Sequence, residues 1–169
     1  MISFTKGSLS FTNRGLITPN TNVPATLSEF ENVFASGMSV RRRELFKGYQ
    51  TYLTHLQAIL GNAPFIQWVD GSFTTLTPNP KDIDVVSFVG FDVVARCEPQ
   101  LKALKYPHSL DFGVDAYIVR VYPADHRHYP QYTGDRAYWM SQFDKTERNR
   151  RGIISPKGFL ELSFPQISV

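Results

Sequence analysis

Two aspartates stand two residues apart in an otherwise apolar stretch, Asp82-Ile-Asp84-Val-Val. On a β-strand this spacing points both carboxylates to the same face of the sheet. Carboxylates held close together in apolar surroundings repel each other and lose hydration, and a bound divalent cation relieves both penalties. Hard oxygen ligands suit Mg²⁺ (or Mn²⁺), which usually takes one or two carboxylates together with substrate phosphates. The alternative is that one aspartate caps the strand and the other pairs with an arginine.

A Gly-Ser pair and a third acid are placed so that they can join these aspartates. Gly71-Ser72 follows an apolar segment, nine residues before the acid pair. Glycine there allows a tight turn and lets backbone N–H groups approach a phosphate, although an ordinary turn has the same composition. Asp115 lies early in a strongly alternating segment and joins the pair if the two strands are neighbours. Three such carboxylates could hold two metal ions for an in-line phosphoryl displacement.

Basic residues around these acids are candidate phosphate or acceptor contacts. Arginines at the start of a helix oppose its macrodipole, which a bound phosphate or an acidic partner would compensate. Arginines around a mobile turn can contact phosphate or nucleic acid. In each case a solvated charged face, or simple charge compensation, is the alternative. The candidates are Lys81, Arg41, Arg42, Arg148, Arg150, Arg151 and Lys157.

Aromatic residues near the C-terminal basic turn allow two interpretations. Tyr138, Trp139 and Phe143 lie close in sequence to Arg136 and could stack a nucleobase. Packing of a C-terminal helix on the sheet explains the same residues.

The elements that must position these residues form one domain over residues 1–169. A Thr26-Leu-Ser-Glu29 capping box predicts a short helix, and a longer helix runs from Ser39 to Gly61. Helices flanking a short sheet without regular β-α-β alternation indicate the α+β class with a small mixed sheet. The predicted segments are an extended N-terminal arm with little regular structure (1–25), a helical segment (26–61), a catalytic sheet (62–125, with strands at 65–69, 83–89 and 114–122) and a C-terminal basic extension (126–169, with a helix at 135–143 and a strand at 158–164).

Composition and charge exclude several classes of protein. The 169 residues carry 18 Lys and Arg against 15 Asp and Glu, a net charge of +3, which excludes a uniformly basic nucleic-acid coat protein. The charge is +3 over residues 1–60, −3 over 61–135 and +3 over 136–169, so the proposed metal site lies in the acidic third. A single Cys excludes a Cys-rich zinc cluster and favours a cytoplasmic setting. The first residues lack a signal peptide's apolar core, and we expect no membrane segment.

The acid constellation resembles the nucleotidyltransferase superfamily that includes DNA polymerase beta. That family has an apolar residue, then Gly and Gly or Ser, a spacer, an Asp-apolar-Asp/Glu-apolar motif and a third acid on a later strand. Gly71-Ser72, Asp82-Ile-Asp84-Val and Asp115 match this pattern. Asp70 departs from it, because an apolar residue usually precedes the glycine, and its role is unassigned.

A family of uncharacterised nucleotidyltransferase-like proteins from bacteria and mobile elements is similar over nearly the whole chain. The matching stretches are Phe11-Thr-Asn-Arg-Gly-Leu-Ile, Ser39-Val-Arg-Arg, Val69-Asp-Gly-Ser-Phe-Thr, Pro80-Lys-Asp-Ile-Asp-Val-Val and Lys157-Gly.

The superfamily resemblance implies a polymerase beta-like fold, Mg²⁺ and a nucleoside triphosphate donor. The expected reaction transfers NMP to a hydroxyl of a protein, an RNA or a small molecule. Asp82, Asp84 and Asp115 would be the catalytic metal ligands, and Gly71, Ser72 and Lys81 would bind the nucleotide. Two alternatives stay open: an antitoxin-type or regulatory module that acts on a partner protein, and a catalytically silent nucleic-acid-binding domain.

Overall fold

The computed structural model describes residues 3–6, 8–61 and 63–165, which form two β-sheets and four α-helices. The chain is of the α+β class, as its sequence predicts. The strands are β1 (Ser3–Lys6), β2 (Leu9–Thr12), β3 (Ile17–Thr18), β4 (Asn22–Pro24), β5 (Phe65–Asp70), β6 (Ile83–Gly90), β7 (Val114–Val121) and β8 (Phe159–Phe164). The helices are α1 (Leu27–Phe34), α2 (Val40–Leu60), α3 (Phe91–Leu101) and α4 (Tyr129–Phe143).

The N-terminal arm is more regular than the sequence suggested. β1, β2 and β3 form an antiparallel sheet of their own, and β4 joins the main sheet. The expectation of little regular structure there is wrong because Leu9 and Phe11, which alternate with polar residues, are buried in the core. The ring of Phe11 packs edge-on against Phe34 of α1, with centroids 5.9 Å apart.

Local capping signals fix the two N-terminal helices where the sequence predicts them. The Thr26 side chain accepts from the Glu29 backbone, and the Glu29 carboxylate accepts from the Thr26 backbone, so the capping box is formed. Ser39 caps α2, which ends at Gly61. α4 begins at Tyr129, earlier than the predicted 135, because Pro130 suits the first turn of a helix.

The main sheet has the strand order β4-β8-β5-β6-β7. β5 pairs antiparallel with both β6 and β8, whereas β7 lies parallel to β6 and β4 lies parallel to β8. One face of the sheet packs on α1, α2 and α3 through the larger apolar core. The other face carries a smaller cluster around Trp68, Phe88 and Phe159, to which α4 adds Phe143 and Trp139. Within the described residues, no helix is long and apolar enough to cross a membrane.

Candidate active site

Three neighbouring strands bring three aspartates abreast. In the register of the sheet, Asp70 at the end of β5 lies opposite Asp84 of β6, and Asp84 lies opposite Asp115 of β7. Because side chains alternate along a strand, all three point to the face that carries Trp68 and α4. We call these three residues the acid row. Asp82 lies just before β6 and is half-buried. The structure therefore confirms that the strand of Asp115 lies beside that of Asp84.

Gly71 forms the turn that follows the acid row. Its φ of 82° and ψ of −163° lie in a region that is essentially restricted to glycine. A Cβ at this position would lie 1.7 Å from Oδ2 of Asp84 and 2.8 Å from its Cγ. The missing side chain is therefore what lets the Asp84 carboxyl lie against the turn. Ser72 is exposed and begins the 3₁₀ turn Ser72–Thr74.

Burial, and at two positions neighbouring carboxylates, raise the pKa values of the acid row. Burial, followed by the charges of Asp82, Asp70 and Asp115, raises the pKa of Asp84 to about 7. Burial also raises the pKa of Asp70 to about 6, against the opposing effect of Lys157. The pKa of Asp115 is raised by burial and by Asp82. Without a cation the row is thus an unfavourable place for several ionised carboxylates at neutral pH.

Asp115 carries an unsatisfied oxygen. Tyr117, two residues along β7, leaves the same face of the strand as Asp115. Oδ1 of Asp115 is buried and has no hydrogen-bond partner among the described residues. Buried polar atoms without a partner are rare, and a missing ion is one of the ordinary explanations.

Asp82, with Asp84 and Asp115 of the acid row, fits a divalent cation in its chemistry, although these residues do not form a closed cage. Their donors are hard carboxylate oxygens, which Mg²⁺ prefers. Nevertheless, no group of three His, Cys, Asp or Glu side chains in the described ranges converges closely enough to hold a metal as it stands. Mg²⁺ commonly keeps several waters and substrate oxygens as ligands, so a row of separated carboxylates is compatible with it.

Lys157 is the partner of Asp70. The sequence predicts Lys157 as a phosphate or acceptor contact, but its ammonium group is buried and pairs with Oδ1 of Asp70. Thr74 donates a longer bond of 3.4 Å to the same oxygen. Asp70, whose role the sequence left open, therefore anchors the segment that leads into β8. Nothing in the spacing of these two residues, 87 positions apart, could have revealed the pair.

Arg42 is an internal brace of the turn that follows Gly71. It is fully buried and donates to the backbone carbonyls of Phe34 (3.0 Å), Phe73 (2.8 Å) and Thr77 (2.8 Å), and also to Thr75 (2.6 Å). Its guanidinium lies 4.9 Å from the centroid of the Phe73 ring. Burial lowers its pKa to about 10. The expected phosphate contact does not fit this placement, because its donors are used inside the fold.

The other basic candidates are scattered. Arg41 donates to the carbonyls of Pro80 and Lys81 and so supports the loop before Asp82. The side chain of Lys81 is 92% exposed, and its nitrogen lies 4.0 Å from Oδ2 of Asp82, so it is free to move towards a ligand.

Arg148, Arg150 and Arg151 belong to an exposed turn between α4 and β8. Arg148 donates to the carbonyl of Gly152. Arg150 and Arg151, with Arg14 and Ile153, line a shallow groove of about 370 Å³.

The comparisons with known proteins give a family and no activity. The profile of DUF6932, a family of unknown function, matches residues 9–163, so the chain belongs to this family. No curated protein and no solved structure matches the chain.

Proposed function

We propose that this member of DUF6932 is a Mg²⁺-dependent nucleotidyltransferase with a polymerase beta-like sheet. It would move NMP from a nucleoside triphosphate to a hydroxyl group of an acceptor. One observation carries the proposal: the register sets Asp70, Asp84 and Asp115 abreast, with Gly71 closed against Asp84. The order of the elements also matches the nucleotidyltransferase superfamily that includes DNA polymerase beta. In both, a strand and a Gly-Ser turn precede a strand with an acid pair, and a third acid follows on a later strand.

The chain's own residues supply distinct parts of the reaction. Asp82, Asp84 and Asp115 are the side chains that would hold Mg²⁺, and the backbone of Gly71 and Ser72 would receive the triphosphate. When bound, the cation offsets carboxylate repulsion and the charge of the leaving pyrophosphate. Lys81 is free to reach the same phosphates.

Asp115, which lies opposite Asp84 in the sheet, would also accept the proton of the acceptor hydroxyl as a general base. As the hydroxyl oxygen bonds to the α-phosphorus, the bond from that phosphorus to the oxygen bridging the β-phosphate breaks. Pyrophosphate leaves with the electron pair, and the acceptor carries the NMP.

Labelled nucleotides test this proposal directly. The protein is incubated with Mg²⁺, a host lysate and each nucleoside triphosphate, labelled either at the α- or at the γ-phosphorus. Transfer of the α-label alone is expected, with the labelled species then identified by its sensitivity to protease or ribonuclease. Asp84→Asn should lower transfer at least about 100-fold, because a metal ligand is lost.

A matched variant controls for general effects of removing a carboxylate. Asp125→Asn changes an exposed aspartate beyond the far end of β7 and should leave transfer unchanged. Full activity in Asp84→Asn contradicts the assignment, and transfer of the γ-label indicates a kinase instead. If no label is transferred and the protein copurifies with a stoichiometric partner, the chain is a regulatory module.

A further inference from the structure

An aromatic cleft adjoins the acid row at the edge of the main sheet. It has a volume of about 300 Å³, and β7 forms its floor from Ala116 to Val119. Lys105 and Tyr106 form one wall, and α4 forms the other with Asp135 and Trp139. This volume is at the small end of those of small-molecule sites, so the cleft suits one ring system rather than a peptide segment.

The rings that line the cleft present open faces to solvent. Tyr106 is 52% exposed and Tyr117 is 37% exposed. Their ring planes lie 12° apart with centroids separated by 6.0 Å, while the Trp139 ring lies 4.7 Å from that of Tyr117. These two exposed rings and the partly buried Trp139 together form an apolar surface that a planar ligand can cover.

The cleft is continuous with the acid row through Tyr117. Asp115 and Tyr117 are two apart on β7, so their side chains leave the same face of the strand. A ligand with a ring in the cleft therefore extends its attached groups towards Asp115 and Asp84. A nucleoside triphosphate has this layout, with a planar base at one end and the reacting phosphates at the other.

We propose that the aromatic cleft binds the base of the donor nucleotide by ring stacking, and that Asp135 accepts a hydrogen bond from an exocyclic amino group of that base. Every base has a π-face, so stacking by itself is tolerant of base identity. A carboxylate, however, accepts from the amino group of cytosine and has no such donor at that position in uracil. This inference takes its ligand, a nucleoside triphosphate, from the proposed function, and it adds which residues bind the nucleobase.

Tryptophan fluorescence separates the two halves of the site. Trp139 lines the cleft, whereas Trp68 is only 1% exposed, so a stacked base should quench mainly Trp139. The wild-type protein is titrated with Mg-ATP, with Mg-tripolyphosphate, and with adenosine without metal. We expect quenching by ATP and by adenosine, and an ATP affinity at least about tenfold above that of tripolyphosphate.

Two cleft variants and one control test the residues. Trp139→Leu and Tyr106→Leu should each weaken ATP binding about tenfold and leave tripolyphosphate binding unchanged. If Trp139→Leu fails to fold, Tyr106→Leu still tests the cleft, because Tyr106 is exposed and its replacement should not disturb the core. Tyr129→Leu removes a half-buried ring at the start of the same helix that does not line the cleft, and should bind like the wild type. Binding in Tyr106→Leu can be followed through the remaining Trp139 signal, and in Trp139→Leu by calorimetry.

The possible failures are distinguishable. Equal affinities for ATP and tripolyphosphate, or cleft variants that bind ATP normally, overturn the cleft assignment and leave the proposed transferase standing. If ATP and tripolyphosphate both fail to bind while adenosine still quenches Trp139, the cleft stands and the triphosphate site fails. Absence of both ATP and adenosine binding overturns the cleft assignment.

The role of Asp135 is tested with a matched pair of nucleotides. CTP and UTP differ at the exocyclic group that Asp135 would recognise. The wild type should bind CTP at least about fivefold more tightly than UTP, and Asp135→Asn should narrow this ratio. A CTP preference that persists in Asp135→Asn, or its absence from the wild type, overturns the assignment of Asp135.

Discussion

Gly71→Ala should destabilise the protein by a mechanism that can be isolated. Gly71 has a φ of 82° and a ψ of −163°, where a side chain strains the backbone by about 1–3 kcal/mol. The new Cβ would also lie 1.7 Å from Oδ2 of Asp84. Relieving this overlap requires moving Asp84 or the turn, and overpacking of this kind typically costs about 1–3 kcal/mol. The two contributions together give a loss of about 2–6 kcal/mol in the free energy of unfolding.

Urea unfolding in metal-free buffer measures this loss. With a slope of about 1–3 kcal/mol per molar urea, a loss of this size shifts the midpoint by about 0.7 M or more. Gly61→Ala is the matched control, because Gly61 has a φ of 64° and a ψ of −134°, and a Cβ added to it would meet no atom of the described residues within 4 Å. It reports the backbone strain without the steric overlap.

A double-mutant cycle then isolates the contact with Asp84. In the Asp84→Ala background the carboxyl oxygens are absent, so Gly71→Ala should cost about 1–3 kcal/mol less than in the wild type. The reasoning is refuted if Gly71→Ala costs no more than Gly61→Ala. It is refuted equally if the cost of Gly71→Ala is the same in both backgrounds.

Three further outcomes are expected from the buried charges. Because the pKa of Asp84 is about 7 in the folded protein, the folded protein binds more protons than the unfolded chain between about pH 4 and 7, and the free energy of unfolding should fall as pH rises through this window. At pH 8, Asp84→Asn should be more stable than the wild type by up to about 4 kcal/mol, measured by urea unfolding with EDTA. Arg42→Leu leaves several buried carbonyls unpaired and should lower the free energy of unfolding by about 3 kcal/mol or more, whereas exposed Arg43→Leu should change it little. Lys157→Met leaves the buried Asp70 carboxylate without its partner and should lower the free energy of unfolding by about 3–5 kcal/mol. The double variant Lys157→Met/Asp70→Asn should regain much of this loss, as measured by thermal or urea unfolding.

Each of these outcomes has a clear contrary result. A stability that rises between pH 4 and 7, or an Asp84→Asn protein less stable than the wild type at pH 8, contradicts the placement of Asp84 among like charges. Equal effects of Arg42→Leu and Arg43→Leu contradict the buried brace. A double variant as unstable as Lys157→Met means that Lys157 stabilises the fold through something other than Asp70.

Local signals in the sequence predicted much of the frame. The capping box at Thr26 and Glu29 and the apolar stripe of α2 are short-range patterns, and they specify helices without reference to the rest of the chain. The alternation of apolar and polar residues in β7 likewise predicts a strand. Whether Asp115 can join Asp84 then depends only on β7 lying next to β6, as it does in the structure.

The parts that the sequence did not reveal depend on long-range contacts. Arg42 and Lys157 have the composition of surface cations, and only the folded chain surrounds them with carbonyls or with Asp70. The N-terminal sheet gave a weak signal because β3 has two residues and is specified by its pairing with β2. Trp139 packs against the smaller apolar cluster, as one of the two sequence interpretations has it, and it also lines the cleft, where base stacking stays a prediction.

The position of β8 imposes an order on the maturation of the site. β8 lies between β4 and β5 although it follows both by many residues, and Lys157 lies two residues before its start. A nascent chain translated only to residue 150 therefore contains every aspartate of the acid row but neither the strand that completes the sheet nor the cation that neutralises Asp70. Pairings of such sequence separation form late, because loop closure must precede them. The proposed metal and nucleotide site is therefore incomplete until synthesis has passed the last strand, and unfinished chains carry its acids without the completed sheet.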